Sequence, residues 1–259
     1  MPIITLTSDW GLKDHYIGAV KGAIISRLPE ALIVDISHSI PPFNSEQAAF
    51  VLRNAYPNFP NGTVHIMAVN TEESEKFPHT AVEYNGHFFI GTDTGIFSLI
   101  FDKPPDKIVE IQVPQDSDFF TFSTRDRFVK VAVHLARGGK IEEMGKVKNK
   151  IIEKILLKPV IDNNVIKGHV MYIDSYQNVI TNISEPVFSA NRKGRKFNIQ
   201  FRSYEIKKIS RSYQDVPPGE ILALFDSNRY LEIAINQYNA AGLLGLEYKE
   251  MVRVEFVEK

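Results

Sequence analysis

Cysteine is absent from this chain of 259 residues. Disulfide-stabilised scaffolds, cysteine nucleophiles and thiolate metal sites are therefore excluded, and a reducing compartment is mildly favoured. No apolar run approaches the roughly 20 residues of a membrane-spanning helix, so no membrane contact is expected. The first residues are typical of a buried strand and lack the features of a signal peptide, which predicts a cytoplasmic protein.

An excess of charge of either sign is also missing. The chain has 30 basic and 31 acidic residues, which gives a formal net charge of -1. A broad electrostatic surface for nucleic acid is therefore not expected. The basic cluster from Arg192 to Lys196 contains no interleaved aromatic residue, and we interpret it as the solvated tip of a hairpin.

Motifs for metal and phosphate chemistry are lacking as well. The seven histidines are scattered, and none forms a His-x-x-x-His or His-Glu-x-x-His pair, so no metal site is predicted. The chain contains no Walker loop, no Gly-x-Gly-x-x-Gly sequence and no Gly-x-Ser-x-Gly elbow. We therefore expect no bound cofactor.

The first 150 residues do contain an alternation of strand and helix patterns. Asn85-Gly86 between two strand-like runs is a strong hairpin signal, and Asn44 followed by Gln47 is typical of a helix start. This alternation predicts a Rossmann-like α/β domain over residues 1–157, with a mixed and mainly parallel sheet. Ligands of such sheets bind beyond the carboxyl ends of the strands.

The pattern changes from about Val165. Short strand-like runs follow one another with turn residues between them, and only Gln237 to Leu244 is predicted to be helical. This pattern predicts a small C-terminal β-barrel domain over residues 164–259.

Polar side chains at three strand ends suit a small ligand. Asp9 could accept hydrogen bonds from a ribose diol, and Asn236 could bind the polar edge of a base, although each would also fit a turn or a helix cap. Asp174 and Asn178 follow another strand, where a plain turn is the alternative. The residues alone therefore predict a two-domain protein that binds a small ligand.

Seven segments in chain order carry a family resemblance. They are residues 4–22, which read ITLTSDWGLKDHYIGAVKG, and residues 33–43, 59–65, 91–98, 121–128, 174–183 and 230–236. Together they resemble the S-adenosylmethionine (SAM) hydroxide adenosyltransferases, also called SAM hydrolases. The fluorinase and chlorinase that halogenate SAM belong to the same superfamily.

This resemblance implies a fold, an assembly and a set of binding residues. It implies an N-terminal α/β domain, a C-terminal β-barrel and a homotrimer that binds SAM or adenosine between the N-terminal domain of one subunit and the C-terminal domain of its neighbour. The implied ligand contacts are Asp9 with the ribose hydroxyls, Phe43 with the sugar and sulfonium, Asp174 and Asn178 with the methionine amino group, Tyr213 stacked on adenine, Ser227 near the methionine carboxylate and Asn236 at the adenine edge.

The chain departs from the family where water is thought to be activated by an aspartate, an arginine and a histidine. Asn70 occupies the aspartate position, no arginine lies within Lys76 to His79, and Ser123 stands in place of the histidine. An amide cannot act as a general base, and a serine is a poor substitute for imidazole. Asn70, Ser123 and Thr124 are therefore candidate catalytic positions of a non-standard water site. Ser123 and Thr124 could instead supply the donors of a halide pocket, as in the halogenases, although the acidic residues nearby would repel an anion.

Three functions remain open from the sequence. The first is a SAM hydrolase that forms adenosine and methionine. The second is a protein that binds SAM or a nucleoside without turnover, and the third is an enzyme that acts on another adenosyl substrate. One of Glu72, Glu73 and Glu75 could replace the missing base, or these residues could form a plain solvated acidic loop.

Overall fold

The computed structural model describes residues 1–118, 120–155 and 157–257. The chain divides into two compact units, Met1–Ile155 and Leu156–Lys259. Within the described ranges, no helix combines the length and the apolar character that crossing a bilayer requires.

The N-terminal unit is built on a seven-stranded sheet. Its strands are β1 (Ile3–Ser8), β2 (Leu32–Ser37), β3 (Val64–Ala68), β4 (His79–Tyr84), β5 (His87–Thr92), β6 (Lys107–Ile111) and β7 (Gly145–Lys148). They are arranged in the order β2-β1-β3-β5-β4-β6-β7. Strand β1 is parallel to β2 and β3, and β3 is parallel to β5, whereas the other pairs are antiparallel. The predicted mixed sheet is confirmed, as is the hairpin at Asn85-Gly86.

Helices cover both faces of this sheet. They are α1 (Tyr16–Arg27), α2 (Ser45–Ala55), α3 (Ile96–Ile100) and α4 (Val129–Ala136), and a π-helical turn at Thr124–Phe128 leads into α4. Successive strand side chains point to opposite faces, so Ile66 packs in the core with α1 and α4, and Met67 packs in the core with α2 and α3. The Asn44 side chain accepts a 3.0 Å hydrogen bond from the Gln47 N–H, which confirms the predicted start of α2.

The C-terminal unit is a barrel-like antiparallel sheet around a large core, with a smaller apolar cluster at Leu222, Leu224 and Ala234. Its strands are β8 (Val160–Asp162), β9 (Val165–Ile173), β10 (Val179–Ser184), β11 (Lys196–Phe201), β12 (Tyr204–Ile206), β13 (Ile221–Phe225), β14 (Tyr230–Ile235) and β15 (Met251–Val257). The order is β12-β11-β15-β9-β10-β14-β13, and β8 pairs with β9. A bridge joins Ile209, just beyond β12, to Ala223 of β13, so the sheet nearly closes. The predicted β-barrel is confirmed.

Two details of this unit differ from the sequence prediction. A helix α5 (Glu185–Arg192) precedes α6 (Ala240–Leu244), so the prediction of a single helix was wrong. Helix α5 is only eight residues long and buries only Phe188, so its sequence shows no repeating apolar stripe.

The basic cluster is not a hairpin tip. Arg192 is the last residue of α5, and Lys196 is the first residue of β11. The guanidinium groups of Arg192 and Arg195 lie 4.8 and 5.1 Å from the ring centroids of Phe197 and Phe256. These two arginines therefore cover apolar rings of the core.

Candidate functional site

The carboxyl ends of β1 and β3 are neighbours and bring several predicted residues to one edge of the N-terminal sheet. Asp9 directly follows β1, and Asn70 lies two residues beyond β3. The Oδ2 atom of Asp9 accepts a 2.9 Å hydrogen bond from the Phe43 N–H. The loop before α2 is therefore attached to the end of β1 through the predicted ribose-binding carboxylate.

Phe43 combines strained backbone with an exposed ring. Its φ angle is +62°, and 74% of its surface is exposed. A bulky residue rarely adopts this left-handed conformation, which costs on the order of 1–3 kcal/mol and persists only where the surroundings impose it. The hydrogen bond to Asp9 is one such constraint, and it holds an exposed aromatic residue beside a carboxylate.

The predicted catalytic hydroxyls lie in the same unit. Ser123 is buried, and its Oγ accepts a 3.2 Å hydrogen bond from Gln115 Nε2. The buried Oγ1 of Thr124 has no hydrogen-bond partner within the described part of the chain. The rings of Trp10 and Phe122, next to Asp9 and Ser123 in sequence, meet edge to face at 5.6 Å. These hydroxyls can orient a water molecule, but neither is basic at neutral pH.

The acidic loop that follows Asn70 is anchored to the rest of the unit. An oxygen of Glu73 lies 2.5 Å from a guanidinium nitrogen of Arg127, and that nitrogen lies 2.9 Å from His79 Nδ1. Arginine can only donate, so Nδ1 accepts and Nε2–H donates to the Thr71 carbonyl at 2.9 Å. Burial lowers the pKa of His79, in agreement with this neutral form.

Glu72, Glu73 and Glu75 are all exposed, as the solvated-loop interpretation expects, and Glu73 is in addition anchored by Arg127. The family pattern predicts its arginine between Lys76 and His79, where this chain has none. Arg127 is 54 residues from Glu73 in the chain and reaches it through the π-helical turn, so no local pattern could have indicated the contact.

A cavity of about 610 Å³ lies within the C-terminal unit. Three of the predicted residues line it, namely Asn178, Tyr213 and Asn236, and the rings of Tyr176 and Tyr238 line it as well. Aromatic faces together with amide groups are suited to a planar, polar-edged ligand.

The amides of this cavity are held in place by their own neighbours. Asn236 Nδ2 donates to the Val216 carbonyl at 2.8 Å, which leaves its Oδ1 as an acceptor for a ligand. The two Asp174 oxygens accept from the backbone N–H and side-chain Nδ2 of Asn178, at 2.8 and 3.3 Å. Asp174 therefore supports Asn178.

Ser227 occupies a different position. It lies in the exposed turn between β13 and β14, and it is not among the described residues that line the cavity. Its predicted role near a methionine carboxylate stays a prediction, as does the role of Asp174 with the amino group.

Glu232 is a carboxylate that sequence reasoning missed. It lies on β14, is 3% exposed, and its Oε1 accepts a 2.8 Å hydrogen bond from the Tyr213 hydroxyl. Burial, with smaller contributions from Asp174 and Asp226, raises the pKa of Glu232 to about 7, although the Tyr213 bond acts in the opposite direction. The available signal was a single carboxylate inside the apolar run Leu-Glu-Ile-Ala-Ile.

Comparison with known proteins places the chain in a family. Residues 4–145 match the SAM hydroxide adenosyltransferase N-terminal domain, and residues 168–253 match the C-terminal domain of the same name. An (R)-S-adenosyl-L-methionine hydrolase from Methanocaldococcus jannaschii is 29% identical over 98% of this chain and 96% of its own length. The hydrolase of the same name from Thermus thermophilus is 29% identical over 95% of this chain and 97% of its own.

The fold is also found in a solved structure. The crystal structure of an uncharacterized conserved protein from Thermotoga maritima matches with a TM-score of 0.87 and 30% identity, covering 97% of this chain and 99% of that chain. The N-terminal domain match alone spans more than half of the sequence, and the second match follows it in the expected order. The chain therefore belongs to the SAM hydroxide adenosyltransferase family.

Proposed function

We propose that the protein binds SAM and cleaves it to adenosine and methionine, as a cytoplasmic homotrimer. The observation that carries this proposal is the convergence of Asn178, Tyr213 and Asn236 on one cavity. Its tyrosine rings can stack on a purine, and the Asn236 amide can pair with the polar edge of the base. Membership of the family and the names of the relatives support an adenosyl ligand.

In this proposal the site is shared by two subunits. The N-terminal unit of one subunit supplies Asp9 and Phe43, and the C-terminal unit of its neighbour supplies the cavity. Asp9 Oδ2 holds the Phe43 loop, so Oδ1 is the oxygen available to a ribose hydroxyl. Asp174 and Asn178 would bind the methionine ammonium group, and Ser227 its carboxylate.

The reaction needs an oriented water molecule more than an acid. Water attacks C5′, the C5′–O bond forms, the C5′–S bond breaks, and its electron pair remains on sulfur. The departing thioether is neutral and needs no proton, and the proton of the water passes to solvent. Asn70 cannot accept that proton, so the hydroxyls of Ser123 and Thr124 would orient the water and turnover would be slow.

Chromatographic detection of adenosine after incubation with SAM tests cleavage. Removing the unpartnered hydroxyl in Thr124→Val should lower the rate about tenfold, as expected for one lost hydrogen bond of roughly 1–2 kcal/mol. Thr121→Val is the matched control, because Thr121 belongs to the same segment and is exposed. If SAM is bound and no adenosine forms above the buffer blank, cleavage is rejected.

A second candidate function is binding without turnover. It is favoured by the absence of a base at Asn70, Ser123 and Thr124. Titration calorimetry, combined with the chromatographic detection of adenosine, separates the two functions. A binding protein would bind SAM in the first measurement and yield no adenosine in the second. Failure to bind either SAM or adenosine would remove both candidates.

The assembly has its own test. Light scattering should give a mass near three chains, because the proposed assembly is a homotrimer in which each site is shared by two subunits. A monomer in solution would contradict the shared site.

A further inference from the structure

Glu232 is a buried carboxylate with no part in the reaction proposed above. It is 3% exposed, and its Oε1 accepts a 2.8 Å hydrogen bond from the Tyr213 hydroxyl. The ring of Tyr213 lines the cavity, although 42% of this residue is exposed. A carboxylate in an apolar strand is costly unless it is well partnered, and here its hydrogen-bond partner, Tyr213, is a wall of the cavity.

Two neighbouring carboxylates oppose the negative charge of Glu232. Asp174 faces it from the turn after β9, and Asp226 faces it from the turn after β13. Tyr172 of β9 adds a hydroxyl near Asp174. Burial and the two carboxylates favour the neutral acid, whereas the hydrogen bond from Tyr213 favours the charged form. Glu232 can therefore be a neutral acid or a charged carboxylate, and these two forms differ in the strength of their hydrogen bond with Tyr213.

We propose that Glu232 is a positioning residue that fixes the Tyr213 ring as one wall of the cavity, and that the charge of Glu232 controls the affinity for a nucleoside. The inference rests on the proposed function in that a nucleoside must occupy this cavity. It adds a residue and a pH dependence that the proposed function does not require.

The sign of the effect follows from the hydrogen bond. A charged carboxylate accepts a stronger hydrogen bond than a neutral carboxyl group. A ring already held in place loses less conformational entropy when a ligand stacks on it. Nucleoside binding should therefore tighten as pH rises through the pKa of Glu232, and binding should release protons by linkage.

Adenosine is a suitable probe because it is uncharged near neutral pH, so attraction to a carboxylate cannot produce the effect. We expect wild-type protein to bind adenosine about fivefold more tightly at pH 8 than at pH 6 in titration calorimetry. Glu232→Gln keeps a carbonyl acceptor but cannot ionise, and Tyr213→Phe keeps the ring but loses the bond. Both variants should bind equally at the two pH values.

The control is Glu247→Gln, which makes the same chemical change at an exposed carboxylate of the same unit. This variant should keep the wild-type ratio of affinities. A pH-independent wild type, or a Glu232→Gln variant that keeps the ratio, would overturn the role of Glu232 and leave the proposed function intact. If wild-type protein binds neither adenosine nor SAM, the proposed function fails and this inference fails with it.

A measurement without ligand tests the coupling between the two side chains directly. Carbon-detected NMR of the Glu232 carboxyl should give a titration near pH 7 in wild type. In Tyr213→Phe the titration should move to higher pH, because the bond that favours the charged form is gone. An unchanged titration would show that Tyr213 and Glu232 are not coupled and would overturn the proposal.

Discussion

The two units treat their polar groups in different ways. At the edge of the N-terminal sheet, Asp9 holds the Phe43 backbone, and Arg127 is engaged by Glu73 and His79. In the C-terminal unit, amides such as Asn236 line an open cavity and retain an acceptor. In the proposed function, ligand recognition would therefore reside mainly in the C-terminal cavity, and the N-terminal edge would be a braced frame whose candidate catalytic positions lack a base.

The buried titratable groups of the two units also differ in the sign of their pH response. Burial, assisted by the neighbouring His87, lowers the pKa of His65 from 6.5 to about 3. His65 lies in the N-terminal core and contacts Thr5 Oγ1 at 2.7 Å. In the C-terminal unit, burial raises the pKa of Glu232 from 4.5 to about 7. Acid should therefore weaken the first unit, and rising pH should weaken the second.

The largest expected effect concerns His65. Its folded pKa lies below its unfolded value, so its stability contribution is full above pH 6.5 and is lost as pH falls towards 3. Between pH 6.5 and 3.5, wild type should lose about 4 kcal/mol more unfolding free energy than His65→Gln. Urea denaturation followed by the fluorescence of Trp10, the single tryptophan, reports on this unit. Equal losses in the two proteins would contradict the assignment.

Glu232 should produce the opposite trend in the C-terminal unit. Its folded pKa lies above its unfolded value, so its contribution is full below pH 4.5 and is lost as pH rises through about 7. Between pH 4.5 and 7.5 the unit should lose about 3 kcal/mol in wild type and little of that in Glu232→Gln. Hydrogen exchange in β13 and β14, corrected for intrinsic rates, measures this loss. If wild type and Glu232→Gln lost the same stability over this pH range, the proposed difference in pH response between the two units would be contradicted.

These groups also show where sequence reasoning succeeds and where it stops. The hairpin at Asn85-Gly86 and the helix cap at Asn44 could be predicted from the sequence, because residues within a few positions determine such turns and caps. The contacts of Arg127 and Glu232 could not be predicted, because their partners lie 54 and 19 residues away in the chain and are brought close by the tertiary fold. The resemblance supplied Asn178, Tyr213 and Asn236 as a group, whereas their convergence on one cavity required the structure.

A smaller effect is expected at the N-terminal edge, where Asp9→Ala tests the frame. Removing the carboxylate should weaken adenosine binding by about 1–3 kcal/mol, the range for a buried group left without its partner. Adenine has no ribose, so its affinity should not change in this variant. Asp14→Ala is the control, because Asp14 is exposed and lies, like Asp9, in the segment between β1 and α1. Calorimetry that gives unchanged adenosine affinity would mean that the ribose assignment is wrong.

The smallest effect is expected in the acidic loop. About a third of the Glu73 side chain is exposed, and its two oxygens accept hydrogen bonds from Arg127 and the His79 backbone N–H, so this side chain anchors the loop. Glu73→Gln should lower the unfolding free energy by no more than about 1 kcal/mol and leave adenosine formation from SAM unchanged. Glu75→Gln should be neutral in both measurements, because Glu75 is exposed. If the double variant abolished turnover while keeping SAM affinity, the loop would carry the missing base, and the division between a recognising cavity and a braced frame would no longer hold.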